Sequence, residues 1–160
     1  MRTNHVARRT SHFVGRLSLT MTLLCGPAAL TAQQPRTFKA RLSPVPLDVS
    51  MQATVAGGGS VTAVLTGASL AVTGTFDGLK SPATIAQVHK SPVRGVRGPN
   101  VLDLTVAKGD AMSGTLSGSF TLTALQIADL EKGRLYVQLH SEKAPDGNLW
   151  GWLMPQENRR

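Results

Sequence analysis

Short segments in which apolar and polar residues alternate follow one another between residues 37 and 154. A period of two puts the apolar side chains of a segment on one face of a β-strand, so the pattern predicts strands rather than helices. The predicted strands are 37–42, 51–55, 60–65, 70–76, 84–89, 101–106 and 113–122, followed by a hairpin within 135–153. Turns rich in glycine and proline separate them. This arrangement predicts an all-β fold, an antiparallel Greek-key sandwich or barrel.

One short segment has a helical pattern instead. Thr123 and Gln126 have the spacing of a capping box, in which each side chain satisfies a backbone N–H group at the start of a helix. Apolar residues follow as far as Leu130, and Gly133 is suited to end the helix. The sequence therefore predicts one short crossover helix between two strands.

The final hairpin has the most regular pattern in the chain. Its aliphatic positions are Leu135, Val137, Leu139, Leu149 and Leu153. We expect these side chains to fill the core, and we expect the hairpin to turn at Asp146-Gly147 because Asp-Gly is a common two-residue hairpin turn.

The other face of the hairpin carries the candidate ligand-binding residues. They are Tyr136, Gln138, His140, Trp150 and Trp152. Strict alternation predicts that these side chains form a solvent-accessible strip, and Tyr and Trp are enriched at binding surfaces. The alternative is that the loop 91–100 or a second sheet covers the strip, which then serves only for packing.

The first 32 residues have the character of a signal peptide. Four arginines and no acidic residue accompany a short apolar segment from Leu17 to Leu30, and Ala32 has the small side chain that a signal peptidase accepts. The apolar segment is shorter than the roughly 20 residues of a membrane-spanning helix. We therefore expect Sec-type export, cleavage near Gln33, and a periplasmic or secreted domain, residues 33–160, with no membrane span.

Two other export routes are disfavoured by single residues. A twin-arginine signal at Arg8-Arg9 would place an apolar residue closer than Phe13. Lipidation of Cys25 would require a small residue before it, and Leu24 is bulky.

Charge and cysteine content limit the kinds of partner and cross-link that we expect for the mature domain. The full chain has a formal net charge of +8, but residues 33–160 contain 13 Lys and Arg against 9 Asp and Glu. Because there is also no basic stripe with interleaved aromatics, a nucleic-acid partner is not expected. The single cysteine belongs to the leader, so the mature domain has no disulfide. We expect no cofactor, and a partner that is an extracytoplasmic protein or a glycan.

Short motifs typical of one protein family are spread from about Phe38 to Met154. They are Gly78-Leu79, Ser81-Pro82-Ala83-Thr84, Ala86-Gln87-Val88-His89, Gly95-Val96-Arg97-Gly98-Pro99, Ser113-Gly114-Thr115, Leu122-Thr123, Gly133-Arg134-Leu135-Tyr136-Val137, His140-Ser141-Glu142 and Asp146-Gly147-Asn148-Leu149-Trp150-Gly151. Together these motifs resemble the CHRD domain, also called the chordin domain. The resemblance implies a secreted or periplasmic β-rich module, here a bacterial single-domain member, and it supplies no particular activity to transfer to this chain.

The chain departs from that family at a candidate metal site. Family members usually have His-x-His where this chain has Gln87-Val88-His89, and Gly-Glu-Leu-Arg-Gly where it has Gly147–Gly151. A His-x-His pair on a strand can hold one ion, as in copper-zinc superoxide dismutase. Only His89 and His140 remain in the mature domain, and the amide of Gln87 is a weak metal ligand. We expect no metal site; if one exists, these two histidines form it.

Catalytic residues are not expected. Glu142 and Asp146 lie near His140 in the sequence and could be drawn as a general acid and base. Their spacing does not define the geometry that such a pair requires. The expected function is therefore that of an exported, non-enzymatic binding or structural module. The alternative is a superoxide-dismutase-like copper/zinc-binding metalloprotein.

Two arginines of the loop 91–100 complete the candidate binding residues. Arg94 and Arg97 are suited to an acidic ligand, because a guanidinium group offers a planar fork to a carboxylate. The alternative is that both belong to a solvated loop.

Overall fold

The described part of the chain comprises residues 33–46, 48–110 and 112–157 of a computed structural model. The predicted signal peptide, residues 1–32, lies outside the described residues. Within the described ranges, no helix is long and apolar enough to cross a membrane.

Nine strands and one α-helix form the described domain. The strands are β1 (Arg36–Pro44), β2 (Gly58–Thr66), β3 (Ser69–Asp77), β4 (Ala83–Lys90), β5 (Asn100–Lys108), β6 (Gly114–Thr121), β7 (Leu135–Ser141), β8 (Ala144–Trp152) and β9 (Met154–Pro155). Helix α1 spans Ala124–Glu131, and a 3₁₀ helix spans Ser50–Ala53. The predicted antiparallel all-β fold with one short crossover helix is confirmed.

Eight of the strands close into a barrel. Their neighbour order is β1-β2-β3-β6-β5-β4-β7-β8, with β8 pairing back to β1 and β9 added beside β1. Two strands change partner along their length. Strand β5 pairs with β4 as far as Leu104 and with β6 from Thr105. Strand β1 pairs with β2 as far as Leu42 and with β8 from Ser43. Of the two predicted architectures, the closed Greek-key barrel is therefore the one that forms.

The barrel interior is aliphatic because alternation sends one face of each strand inward. Along β2, for example, Val61, Ala63 and Leu65 are buried, and the residues between them are only partly covered. The large side chains with almost no exposed surface include Phe38, Leu42, Leu65, Leu70, Leu116, Leu130, Leu135, Leu139, Leu149 and Leu153. Each such side chain contributes about 1.5–3 kcal/mol by leaving water. The predicted core positions of the final hairpin are confirmed.

Two local predictions are wrong. The segment 51–55 was expected to be a strand, but its first three residues belong to the 3₁₀ helix. Asp48 favours that turn because its carboxylate accepts hydrogen bonds from the Met51 N–H at 3.0 Å and the Ser50 hydroxyl at 2.6 Å. The turn expected at Asp146-Gly147 lies earlier, at residues 142–143, and both residues belong to β8.

Helix α1 is fixed at both ends by polar contacts. The Thr123 hydroxyl accepts from the Gln126 N–H at 3.3 Å, and the Gln126 side chain accepts from the Thr123 N–H at 2.9 Å, so the capping box is confirmed. Asp129 is 1% exposed and forms ion pairs with Lys90 at 2.7 Å and Arg134 at 2.5 Å. The buried carboxylate thus ties α1 to the end of β4 and to the start of β7.

Candidate functional site

Three aromatic rings lie in a row across β4, β7 and β8 on the outer face of the barrel. His89, Tyr136 and Trp152 are direct cross-strand neighbours. The ring centroids of His89 and Tyr136 are 5.1 Å apart with planes 20° from parallel, and those of Tyr136 and Trp152 are 4.9 Å apart with planes at 26°. Stacked pairs of this kind add to the energy of simple burial. We call these three residues the aromatic row.

Trp150 stands edge-on to the end of the aromatic row. Its ring centroid is 4.7 Å from that of Trp152 at 69°, and 6.0 Å from that of Tyr136 at 87°. Both indoles are half-buried. Contacts on several sides therefore fix their orientation while part of each indole remains open.

Strand β8 bulges where the sequence predicted a turn. His140 of β7 faces four residues of β8, 145–148, because the pairing register shifts there. Gly147 has a φ of +124°, and a β-carbon at this position would lie 2.5 Å from the amide nitrogen of Gln138. Only glycine suits both conditions. The Asp-Gly pair therefore marks a bulge that brings the β8 backbone against side chains of β7.

The bulge holds His140 as a neutral imidazole. Its Nδ1 lies 2.7 Å from the Pro145 carbonyl, and because a carbonyl only accepts, Nδ1 carries the proton. The Gln138 amide donates to Nε2 at 3.3 Å. Burial lowers the pKa of His140 and repulsion from His89 and Arg97 adds to the effect, while the bond to Pro145 opposes it. The neutral form is favoured accordingly.

The β4–β5 loop, residues 91–99, covers the aromatic row at His89 and Tyr136. The Gly98 N–H donates to the Tyr136 hydroxyl at 3.1 Å, and the Gly98 carbonyl accepts from His89 Nδ1 at 2.9 Å. The main-chain N–H and carbonyl of Gly98 are thus both hydrogen-bonded to aromatic side chains beneath the loop. We call this segment the roof loop.

Two further contacts hold the roof loop in place. The Ser91 hydroxyl donates to the Val96 carbonyl at 2.6 Å within the loop. The Arg97 guanidinium donates to the main-chain carbonyl of Asp146 in the β8 bulge. Arg97 is therefore a link between loop and barrel, although it was predicted as a ligand contact.

The predicted solvent-accessible strip is wrong for three of its five residues. Tyr136 is 0% exposed, Gln138 is 3% exposed and His140 is 8% exposed. The roof loop covers the first, and the β8 bulge covers the other two. Coverage by this loop was the alternative interpretation, and it holds for Tyr136, whereas cover by the β8 bulge was not predicted. Trp150 and Trp152 lie at the uncovered edge.

The uncovered edge borders an open groove of about 640 Å³ between β1 and β8. Its lining residues are Lys39, Arg41, Ser43, Arg94, Gly95, Trp150, Gly151, Trp152 and Met154. Gly151 lets β8 come close to β1, because a β-carbon there would lie 3.0 Å from the Arg41 carbonyl carbon. The volume lies within the range of about 300–1,000 Å³ that is usual for small-ligand sites. We call this surface the β1–β8 groove.

The β1–β8 groove concentrates positive charge. Lys39, Arg41 and Arg94 line it, and no Asp or Glu does. In the part of the chain that the structure describes, the ion pairs all involve other cations. Residues 33–160 contain 13 Lys and Arg against 9 Asp and Glu. The three cations of the groove are thus a local concentration in a domain whose surplus of positive charge is small.

The two histidines of the described residues, His89 and His140, lie near each other. Their ring centroids are 6.4 Å apart. Gln87 donates to the Asp103 carboxylate at 2.7 Å. That bond, with another from Asn100, lowers the pKa of Asp103. Within residues 33–46, 48–110 and 112–157, no three His, Cys, Asp or Glu side chains are grouped to hold an ion.

The residues considered for acid and base catalysis have other positions and roles. Glu142 is exposed in the β7–β8 turn, and Asp146 is exposed on the bulge. Asp146 contributes its main-chain carbonyl to Gln138 and Arg97. That the chain has no catalytic residues remains a prediction.

Sequence reasoning missed the half of the groove that β1 supplies. Lys39, Arg41 and Ser43 alternate with buried residues, which predicts only that they face outward. Nothing local in the sequence shows that β1 lies beside β8, since strand neighbours are set by contacts between distant segments. The contribution of β1 to a site was therefore not predictable from its pattern.

The fold and the groove define an all-β barrel domain with a cationic and aromatic surface site. The family model of the CHRD domain matches residues 38–153, so the chain belongs to the CHRD domain family. The resemblance seen in the sequence motifs is confirmed. No curated protein and no solved structure shows significant similarity to the chain. Membership of the family supports a binding or structural module and specifies no ligand.

Proposed function

We propose that the chain is an exported, non-enzymatic binding module whose ligand occupies the β1–β8 groove. The observation that carries this proposal is the half-burial of Trp150 and Trp152 at the edge of the roof loop. The roof loop and the bulge cover the rest of the outer face of the hairpin, whereas the indoles open into a groove. Open tryptophans beside fixed polar groups are typical of recognition sites.

The aromatic side of the groove is preorganised for binding. Trp152 is held by its stack on Tyr136, and Trp150 is wedged against both rings. Gly98 in turn bonds the Tyr136 hydroxyl from above. The indole side chains therefore lose little conformational entropy when a ligand binds, which favours binding.

Export is part of the proposal and has independent support in the leader. Residues 1–32 combine a basic start, a short apolar segment and Ala32 at the expected cleavage position. N-terminal sequencing of the exported protein should find Gln33, or a residue within a few positions of it, at the start. An intact Met1 on a membrane-bound form would contradict export by a cleaved signal peptide.

Binding is tested by titrating the purified chain with a panel of neutral and acidic oligosaccharides and cell-envelope peptides. The two tryptophans of the chain both line the groove, so their emission reports on it directly. We expect at least one panel member to change the emission in a saturable way and to be recovered chemically unchanged.

Calorimetry with variants then locates the site. Trp150→Ala should weaken binding by about tenfold or more, since a stacked aromatic contact at a hot spot is worth at least about 1.4 kcal/mol. Leu125→Ala is the matched control, because Leu125 is an exposed apolar residue on α1. Unchanged affinity in Trp150→Ala would place the ligand elsewhere, and chemical conversion of the ligand would contradict a non-enzymatic role.

A further inference from the structure

We infer that the β1–β8 groove selects an acidic oligosaccharide, of which an oligomer of uronic acid residues is the simplest case. This inference rests on the proposed binding function and adds the chemical class of its ligand. Two independent features of the groove carry it: the arrangement of its cations and the placement of its indoles.

The cations approach the groove from two elements. Lys39 and Arg41 are two residues apart on β1, so their side chains leave the same face of the strand about 7 Å apart. Arg94 reaches the groove from the roof loop. Cations spread along a groove match a ligand that carries several anionic groups better than a ligand with one. Each guanidinium group can also hold a carboxylate by two parallel hydrogen bonds.

Within the described residues, the cations of the groove make no ion pair and no side-chain hydrogen bond. The ion pairs there involve Arg36, Lys90 and Arg134. The hydrogen bonds from cationic side chains come from Arg36, Lys80 and Arg97. A neutral ligand would leave the three charges of the groove unmatched along its length. An anionic ligand removes their mutual repulsion, so charge complementarity favours an acidic partner.

The indoles supply the specificity for a sugar. The face of an indole carries partial negative charge, and it attracts the weakly positive C–H groups on one side of a pyranose ring. Trp150 and Trp152 are half-buried and fixed in place, and Met154 extends the apolar surface beside them. The Ser43 hydroxyl, at the same groove, can both donate to and accept from sugar hydroxyls. Sugar rings with carboxylates therefore fit both parts of the lining.

A matched pair of probes separates charge from shape. Trigalacturonate carries three carboxylates, and its trimethyl ester keeps the same sugar rings without charge; trimannuronate tests whether hydroxyl configuration matters. We expect at least one free acid to bind at least about tenfold more tightly than the ester at low salt. We also expect its affinity to fall as the salt concentration rises, because the Debye length shortens from about 30 Å at 0.01 M to about 8 Å at 0.15 M.

Charge-removing variants test the site itself. Arg41→Gln and Arg94→Gln should each weaken acid binding by about fivefold, the effect of one partly exposed charge contact of about 1 kcal/mol. Neither should alter binding of the ester. Lys143→Gln is the control, because it removes the same charge from an exposed position in the β7–β8 turn.

The outcomes distinguish this inference from the proposed function. Equal affinity for acid and ester, with Trp150→Ala still disruptive, overturns the acidic ligand and leaves the binding module intact. Failure of both free acids to bind at millimolar concentration, while a peptide or neutral sugar binds, does the same. Tighter binding of a charge-matched single-stranded oligonucleotide also overturns the inference. Failure of every ligand in the panel overturns both proposals.

Discussion

Replacement of Gly98 by alanine is expected to lift the roof loop from the aromatic row. A β-carbon on Gly98 would lie 2.7 Å from the Lys90 carbonyl carbon and closer still to its oxygen. These are backbone atoms at the end of β4, and no side-chain rotation can relieve the overlap. The loop must therefore move away from the barrel.

The expected cost follows from the contacts that this movement breaks. They are the bond from the Gly98 N–H to the Tyr136 hydroxyl, the bond from His89 Nδ1 to the Gly98 carbonyl, and the bond from the Lys90 N–H to the Pro99 carbonyl. At about 1 kcal/mol net each, the variant loses about 3 kcal/mol. A domain of this size has about 5–15 kcal/mol of stability, so the variant should still fold.

Urea unfolding followed by tryptophan emission measures this effect at the site itself. The only Tyr and the only two Trp of the chain lie together here, so emission and near-ultraviolet circular dichroism report on the roofed surface. In Gly98→Ala, Trp152 should also become more accessible to acrylamide in the native state. Gly58→Ala is the control, because a β-carbon at Gly58 meets nothing closer than the Leu42 carbonyl oxygen at 3.7 Å.

One result would refute the role assigned to the roof loop. If Gly98→Ala and Gly58→Ala unfold at the same urea concentration and quench alike, the roof loop contributes neither stability nor cover. A loss of stability with unchanged quenching would show that the loop braces β4 without shielding the rings.

Three further predictions concern stability. Asp129→Asn should lower the free energy of unfolding, measured by urea unfolding, by about 1–3 kcal/mol, because Lys90 and Arg134 lose a buried partner. The loss is limited because both cations are about one-third exposed and water screens their charges. Thr123→Ala should cost about 1 kcal/mol in the same assay by removing the cap of α1. Stability should be full above pH of about 6.5 and fall below it, since a histidine with a lowered pKa, His140, is protonated more readily in the unfolded chain.

Each of these predictions has its own check. Asp129→Asn combined with Lys90→Gln should be less than additive, and strict additivity would show that the two residues are not coupled. In Thr123→Ser the hydroxyl remains and stability should be nearly restored. The pH dependence should flatten between pH 8 and 5 in His140→Gln; an unchanged slope would assign it to another group.

Local patterns predicted the strands well, because alternation is a property of neighbouring residues. They failed where a distant segment decides the outcome. Tyr136 alternates with core residues and was expected to be exposed, yet a loop 38 residues earlier in the chain bonds to its hydroxyl. The same limit hid the cationic side of the groove, since Lys39 and Trp150 are joined only by barrel closure.

The Asp146-Gly147 pair shows a different limit. The pair was predicted to form the hairpin turn, which is wrong, although Gly147 does have a positive φ. A turn and a bulge both require such a glycine, and the sequence does not distinguish them. The bulge arises because four residues of β8 must face one residue of β7. That count depends on the pairing register, which is set by the whole sheet.

Closure of the barrel determines how a partner can be recognised. Each of the eight barrel strands has a neighbour on both sides, although β1 and β5 pair with some neighbours along only part of their length. The sheet therefore offers a peptide only short free edges for joining as an additional strand, which is the usual route to sequence-tolerant binding. We expect recognition to come mainly from side chains on the outer face and in the loops. Such positions can be exchanged without changing strand pairing, so one barrel can acquire different ligands by substitution at a few surface positions.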